Sequence, residues 1–375
     1  MLGTYTSCTN LTTAICGPNV VNMGSAYWNC TNLKVAVCGP NVTNMSSTYA
    51  GCVNLTHAVC GDNVTSLYAA YQDCVNLTHA VCGNNVTDMT SAYTNCINLI
   101  EAVCGPNVVE MGRRSSIIGY YGYGTYENCI KLTTAVCGPN VTNMTYTYSN
   151  CVNLITAVCG SNVANMAYTY SNCTNLTTAV CGPNVTSMYR TYENCINLTT
   201  AVCGANVTNM HGTYENCVNL ITAVCGSNVT SMSYAYTNCI NLTEAVCGPN
   251  VTSMYRTYYD CINLTEAVCG PNVTDMHRTY YNCFNIRGNT YFYSGNINGV
   301  SGCFVGRNTL NILNIYLPTN STSLTTCLTN NSSSLIGQEI TWTNDTENSR
   351  YYNTQYNIYI YPVENVAAAR EANGD

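Results

Sequence analysis

Hydrophobic positions along residues 8–283 recur with a spacing that fits neither one long helix nor a set of independent strands. In the stretch CTNLTTAVCGPNVTSMYRTYEN (173–194), Cys173, Leu176, Ala179, Cys181, Val185, Met188 and Tyr192 form the series, and it returns every 22 residues. A fixed period of about 20 to 50 residues marks a solenoid, whose repeats bury their apolar faces only against their neighbours. Units begin at Cys8, Cys30, Cys52, Cys74, Cys96, Cys129, Cys151, Cys173, Cys195, Cys217, Cys239 and Cys261, with a degenerate thirteenth at Cys283. The fifth is longer by eleven residues, the excess falling between Met111 and Tyr126.

With the first Cys as position 1, Leu at 4, Ala at 7 and Cys at 9 make L-x-x-A-x-C. Positions 6 to 9 alternate like a short strand, so Ala and Cys are expected inward, with position 6 and the Val at 8 outward. Gly at 10, often followed by Pro, turns the chain. Asn at 12 is expected inside the stack, its amide bonding backbone of its own and adjacent coils. Val at 13, Met at 16 and Tyr at 20 line a return path of turns or short 3₁₀ pieces. On this reading the Asn-Val-Thr sequons, such as Asn184-Val185-Thr186, are structural.

The consensus C-x-x-L-x-x-A-x-C-G-P-N-V-x-x-M, followed by an aromatic and the next Cys, resembles the BspA-like class of leucine-rich repeats. The resemblance covers residues 8–283 and departs in Cys-Gly-Pro for Ile-Pro, Tyr for Phe and one residue fewer per unit. It implies a leucine-rich repeat fold of mostly β character, and surface-exposed adhesion and binding proteins without a shared active site. After residue 283, stretches 290–293, 310–317, 340–343 and 356–361 read as strands and 319–334 as loop. Residues 1–283 are thus expected to form the solenoid, with its insertion at 112–125, residues 284–362 a β-rich C-terminal cap, and 363–375 a flexible tail. The elements YFYSGN, SGCFVGR and YNIYIYP in that cap resemble leucine-rich repeat proteins encoded by gut bacteriophages. Met1 falls at position 16 of a repeat, which reads as a truncated start.

Composition narrows the function. The chain is 46% apolar but only 8% charged, and 11 Lys and Arg against 18 Asp and Glu give a net charge of −7. That balance lacks the basic footprint of nucleic-acid or anionic-membrane binding. No run approaches the ~18 apolar residues of a membrane span. The 27 cysteines fall at C-x₇-C and C-x₁₃-C spacings without C-x₂-C, which disfavours zinc. Columns of in-register Cys fit disulfide geometry poorly, so free buried thiols are expected. A bridge between positions 1 and 9 stays open as an alternative.

Candidate binding residues lie where copies disagree. His57, His79 and Glu101 occupy position 6 of three successive coils. The insertion carries Arg113, Arg114, Tyr120, Tyr121 and Tyr123 among glycines and serines, the composition of binding loops. Positions 17 and 18 carry Tyr189 with Arg190, Tyr255 with Arg256, and Arg278 after a His; aromatic–Arg pairs are contact chemistry. No nucleophile–base pair, paired-carboxylate site or phosphate loop stands out, and no cofactor is expected. The sequence therefore predicts non-catalytic recognition of a protein or glycan partner at a cell or virion surface. The alternative is a structural spacer that self-associates through its Val and Thr sheet face.

Overall fold

A computed structural model describes residues 1–113, 123–329, 331 and 333–375. It divides into two units, Met1–Ile196 and Asn197–Asp375. Each is a stack of 22-residue coils, and within each the same columns of side chains are superposed.

The interior follows the repeat. Leu at 4, Val at 13, Met at 16 and Tyr at 20 are fully buried in nearly every coil, as Leu154, Val163, Met166 and Tyr170 illustrate. The tyrosines stack nearly parallel, with ring centroids 5.4 Å apart for Tyr5–Tyr27 and 5.8 Å for Tyr148–Tyr170 in the first unit. In the second, Tyr236–Tyr258 are 5.6 Å apart.

The phenol also explains why Tyr replaces Phe. Tyr148 Oη donates to the Val136 carbonyl at 2.7 Å and accepts from the Val136 amide at 2.8 Å. Tyr258 does the same to Val246 at 2.7 and 2.8 Å. Such coils are cross-braced, and in most of them the position-8 peptide bonds inward instead of pairing with the next coil. The strand ladder accordingly shrinks to single parallel bridges such as His57↔His79, Thr134↔Thr156 and Thr200↔Thr222. The first two coils keep a regular parallel pair, β1 (Thr13–Ile15) with β2 (Val35–Val37). There the Tyr49 hydroxyl is buried without a hydrogen-bond partner. The position-8 valines of later coils are half-buried, while Ile15 and Val37 are exposed. The outward apolar stripe read from the sequence is therefore narrower than expected.

The continuous ladder runs along the return path. Amides of positions 16, 18, 20 and 22 donate to the next coil, as from Met45 to Ser66, Ser47 to Tyr68, Tyr49 to Ala70 and Gly51 to Gln72, at 2.8–3.1 Å. Intervening amides bond three residues back, as Thr48 does to Met45 at 3.0 Å. Two left-handed residues accompany this alternation, at positions 18 and 22. Apart from Ser7 (φ 56), position 22 is Asn, Asp or Gly where its φ is positive (Asn172 φ 62, Asp260 φ 61, Gly51 φ 75), the residues that tolerate that region. Many of its amides chain from coil to coil, as Asn172 Nδ2 does to Asn150 Oδ1 at 2.7 Å.

Three invariant residues have causes the period alone did not show. Gly at 10 is needed for close approach of coils: a Cβ on Gly160 would lie 2.8 Å from Cys137 Sγ and 3.2 Å from the Gly138 oxygen. Cys at 1 is a donor, Cys173 Sγ reaching the Tyr148 oxygen at 3.1 Å. Asn at 12 bonds the preceding coil, Asn162 Nδ2 to the Pro139 oxygen at 2.8 Å, but the residue is exposed rather than enclosed by the stack. All 27 cysteines are free thiols. The position-9 thiols are mostly half-buried, short of the inward burial expected.

The insertion begins and ends in a two-residue antiparallel pair, β3 (Gly112–Arg113) with β4 (Tyr123–Gly124). In the second unit, β5 (Val268–Cys269) opens a six-stranded sheet that continues the coil ladder into the cap. Parallel to it run β6 (Gly288–Phe292), β7 (Leu313–Pro318) and, beyond β7, β10 (Ile358–Val363). Antiparallel β9 (Arg350–Asn353) and β8 (Thr343–Asp345) complete it, in the order β5-β6-β7-β10-β9-β8. Phe304 stacks on Tyr280 at 5.6 Å and carries the tyrosine column onward.

Two segments differ from the sequence reading. Within 319–334 lies helix α1 (Thr322–Cys327), N-capped by Ser321. In place of a flexible tail stands helix α2 (Val366–Ala372), N-capped by Asn365. Its end is held by Asp375 Oδ2, which accepts from Asn289 at 2.8 Å and Tyr291 at 2.7 Å.

Candidate functional site

Position 18 is the unusual place in the coil. Its φ is positive not only for Ser25, Ser47, Ala69 and Ser91 but also for Tyr146 (58°), Tyr168 (56°), Arg190 (49°), Tyr234 (59°), Arg256 (52°) and Arg278 (52°). Left-handed backbone costs an L-residue about 1–2 kcal/mol, and Gly is the relaxed choice. Gly212 (φ 60) fills the same position and shows that the coil accepts it. Large polar and aromatic side chains are thus held at a strained corner of the return path beside positions 17 and 21, buried at Tyr146 and half-buried at Tyr168, Arg190 and Arg256.

In the first unit, Tyr146 and Tyr168 stack at 4.5 Å with a 9° interplanar angle, and Tyr189 meets Tyr168 edge-on at 5.4 Å. Arg190 is paired with Glu193. The insertion leaves the coil at this same corner. Gly112 and Gly124 are required at its base, since a Cβ there would lie 1.7 Å from the Thr145 oxygen and 2.0 Å from the Tyr146 oxygen. Thr125 restores the coil, its Oγ1 bonding the Met111 oxygen at 2.6 Å and the Met89 oxygen at 2.9 Å. Just beyond, burial raises the Glu127 carboxyl to about 7, a backbone hydrogen bond at Gly124 opposing the shift. Arg113 is exposed at the mouth of the insertion, and the Tyr123 backbone pairs with it. Arg114, Tyr120 and Tyr121 lie outside the described residues.

In the second unit, the Arg256 guanidinium lies 5.7, 5.5 and 5.4 Å from the ring centroids of Tyr234, Tyr255 and Tyr259. Arg278 lies 6.0 Å from Tyr281, which stacks on Tyr259 at 4.6 Å and 2°. Tyr234 meets Tyr255 edge-on at 5.3 Å. Burial, followed by the neighbouring Asp260 and Tyr281, raises the Tyr259 phenol.

The position-6 candidates are elsewhere on the coil, on the strand side. His57 and His79 stack in parallel at 4.9 Å, their Nδ1 atoms 3.0 and 2.8 Å from Thr56 and Thr78 Oγ1. Glu101 is exposed. Among the described residues no group of three His, Cys, Asp or Glu is placed to hold a metal. Sequence reasoning found Tyr189, Tyr255, Arg256 and Arg278 but missed Tyr146, Tyr168, Tyr234, Tyr259 and Tyr281. The signal available was positional: these residues share columns 18 and 21, beside the variable positions 17 and 18.

The family model "BspA type Leucine rich repeat region (6 copies)" matches residues 3–100, 46–117, 114–220 and 210–336. The chain belongs to the BspA-type leucine-rich repeat family. Its fold is similar to a crystal structure of a leucine-rich repeat protein from Bacteroides ovatus ATCC 8483, at TM-score 0.67 and 16% identity, covering 85% of this chain and 82% of that one. Likeness is lower to a leucine-rich repeat protein from Eubacterium ventriosum ATCC 27560, at TM-score 0.48, 19% identity and 81% and 78% coverage. A leucine rich cell surface protein from Faecalibacterium prausnitzii A2-165 aligns at TM-score 0.41, 15% identity and 77% and 79% coverage. No curated relative matches the chain. No helix among the described residues is long and apolar enough to cross a membrane.

Proposed function

We propose that this BspA-type chain is a non-catalytic recognition module that adheres to a protein or glycan partner, displayed at a cell or virion surface. The observation that carries the reading is the positive φ of Tyr and Arg at position 18, where Gly212 demonstrates a relaxed alternative. Strain kept by bulky side chains clusters at functional sites. The insertion rises from the same corner, between two glycines that admit no Cβ. Tyr and Arg supply large contact area and directional donors at modest entropy cost. The leucine-rich repeat families are in general interaction proteins rather than enzymes, which agrees with this use of the coil. A spacer that packs through position 8 has less surface to work with, because the cross-brace draws those valines half inside.

The test is cell binding. Replacing Arg113, Arg114, Tyr120, Tyr121 and Tyr123 together by Ser should leave the circular-dichroism melt unchanged and weaken adhesion of the full chain to target bacterial or host cells at least tenfold. Full adhesion by a folded variant removes the insertion from the site.

A further inference from the structure

Two arginines of the second unit, Arg350 and Arg307, have fixed polar partners that the two at the corner lack. Arg350 is paired with Asp345 at 2.9 Å, and buried Arg307 donates to the carbonyls of Asn308, Asn311 and Tyr356. Among the described residues, the guanidiniums of Arg256 and Arg278 are in none of the salt bridges, and Arg256 Nε is buried without a hydrogen-bond partner. They are held instead over tyrosine faces. Acids nearby are engaged elsewhere: Asp275 Oδ1 takes the His277 amide and Nδ1 at 3.0 and 2.7 Å, and Asp260 takes Asn282 Nδ2 at 2.8 Å. Two guanidiniums on left-handed residues, beside the stacked rings of Tyr259 and Tyr281, make a part-exposed patch of cationic donors and phenols, with Asp260 at its edge.

We infer that this patch binds a glycan bearing carboxylates, the acid groups taken by Arg256 and Arg278 and the sugar rings resting against the edges and hydroxyls of Tyr259 and Tyr281. A guanidinium matches a carboxylate in a two-point fork, and Arg256 Nε here is unspent. Stacked on each other, the two phenol rings present edges and hydroxyls, which offer a sugar apolar contact and hydrogen bonds. An acidic peptide offers the same carboxylates, and the chain's net charge of −7 opposes both polyanions, so the choice between them rests on the phenols. A glycan carries its charges farther apart and offers the rings a surface to cover. This assignment deepens the recognition reading and rests on it.

Isothermal titration of the full chain with a hexameric oligogalacturonate tests the assignment, with its neutral methyl ester and a glutamate hexapeptide as comparison ligands. Arg256→Gly with Arg278→Gly is the informative variant, because glycine suits φ 52 at both positions and folding is retained or improved. The wild-type chain is expected to bind the oligogalacturonate at least tenfold more tightly than either comparison ligand, and the double variant to lose tenfold or more with an unchanged melt. Tyr259→Ser should weaken the same ligand while leaving the salt dependence of binding in place. Equal binding of the ester, preference for the peptide, no loss in the double variant, or no binding of the oligogalacturonate overturns the assignment. If the double variant still adheres to cells through the insertion corner while oligogalacturonate fails to bind, recognition stands and the glycan chemistry falls.

Discussion

The tyrosine cross-brace supplies the sharpest stability prediction, because one column contains both its test and its control. Tyr148→Phe removes a hydroxyl that bonds both polar groups of Val136, at 2.7 and 2.8 Å, inside a fully buried stack. Each net hydrogen bond is worth about 0.5–1.5 kcal/mol, and a buried group left unpaired costs about 1–3 kcal/mol. Val136 is half-buried, so water reaches part of the vacated peptide and the expected loss is about 2–4 kcal/mol. Tyr49→Phe deletes a buried hydroxyl that has no partner and should be neutral or stabilise by about 1 kcal/mol. Urea unfolding followed by circular dichroism gives the midpoints. Amide exchange at Val136 and Val37 is read alongside, since stacked repeats open locally. Faster exchange at Val136 in Y148F, with Val37 unaffected in Y49F, is the expected pair of results. Equal destabilisation by the two substitutions, or a neutral Y148F, would refute the brace.

Other consequences of the coil are open to the same treatment. Gly160→Ala places a methyl 2.8 Å from Cys137 Sγ and should cost about 1–3 kcal/mol as overpacking, whereas Gly17→Ala meets nothing within 4 Å and should be silent in a thermal melt. Burial lifts the Glu127 carboxyl from 4.5 to about 7; a raised value means its contribution is fully present below pH 4.5 and lost as pH rises through about 7. The melting temperature should therefore fall across that window, and Glu127→Gln should flatten the fall. Thiol titration without reductant should return all 27 cysteines under denaturant and react slowly in the native state, where burial pushes Cys60 up to about 11 and Cys52 up to about 12. A shortfall from 27 would mean that disulfides form.

Much of this molecule was legible from its period, because a column repeated twelve times reports what every coil must bury. Leu at 4, Val at 13, Met at 16 and Tyr at 20 went where the pattern put them. What escaped were features set by contacts one coil away. Gly at 10 reads as a turn residue, yet its φ is ordinary and its cause is the sulfur and carbonyl of the preceding coil. Cys at 1 reads as a small apolar filler, yet it donates to a carbonyl 25 residues back. A further miss lies within the coil: the hydroxyl of Tyr at 20 bonds the valine of position 8 in its own repeat, a cross-coil pairing that the apolar pattern does not display. The candidate site was half legible for the same reason. Variability at positions 17 and 18 marked the corner, but the left-handed backbone that brings Tyr146, Tyr168 and Tyr234 to it is dictated by the return-path ladder. In the cap, without a period, strand boundaries drifted and both short helices were missed.

The central claim is that the coil's ladders are scaffold and that contact is made at the corner of positions 17, 18 and 21. Hydroxyl-radical footprinting of the full chain, free and bound to target cells, tests it most directly. The account predicts protection of Tyr168, Tyr189, Tyr255 and Tyr259, with His57, His79 and the position-8 valines unchanged. Protection of the valines and His57 with an unprotected corner would contradict it.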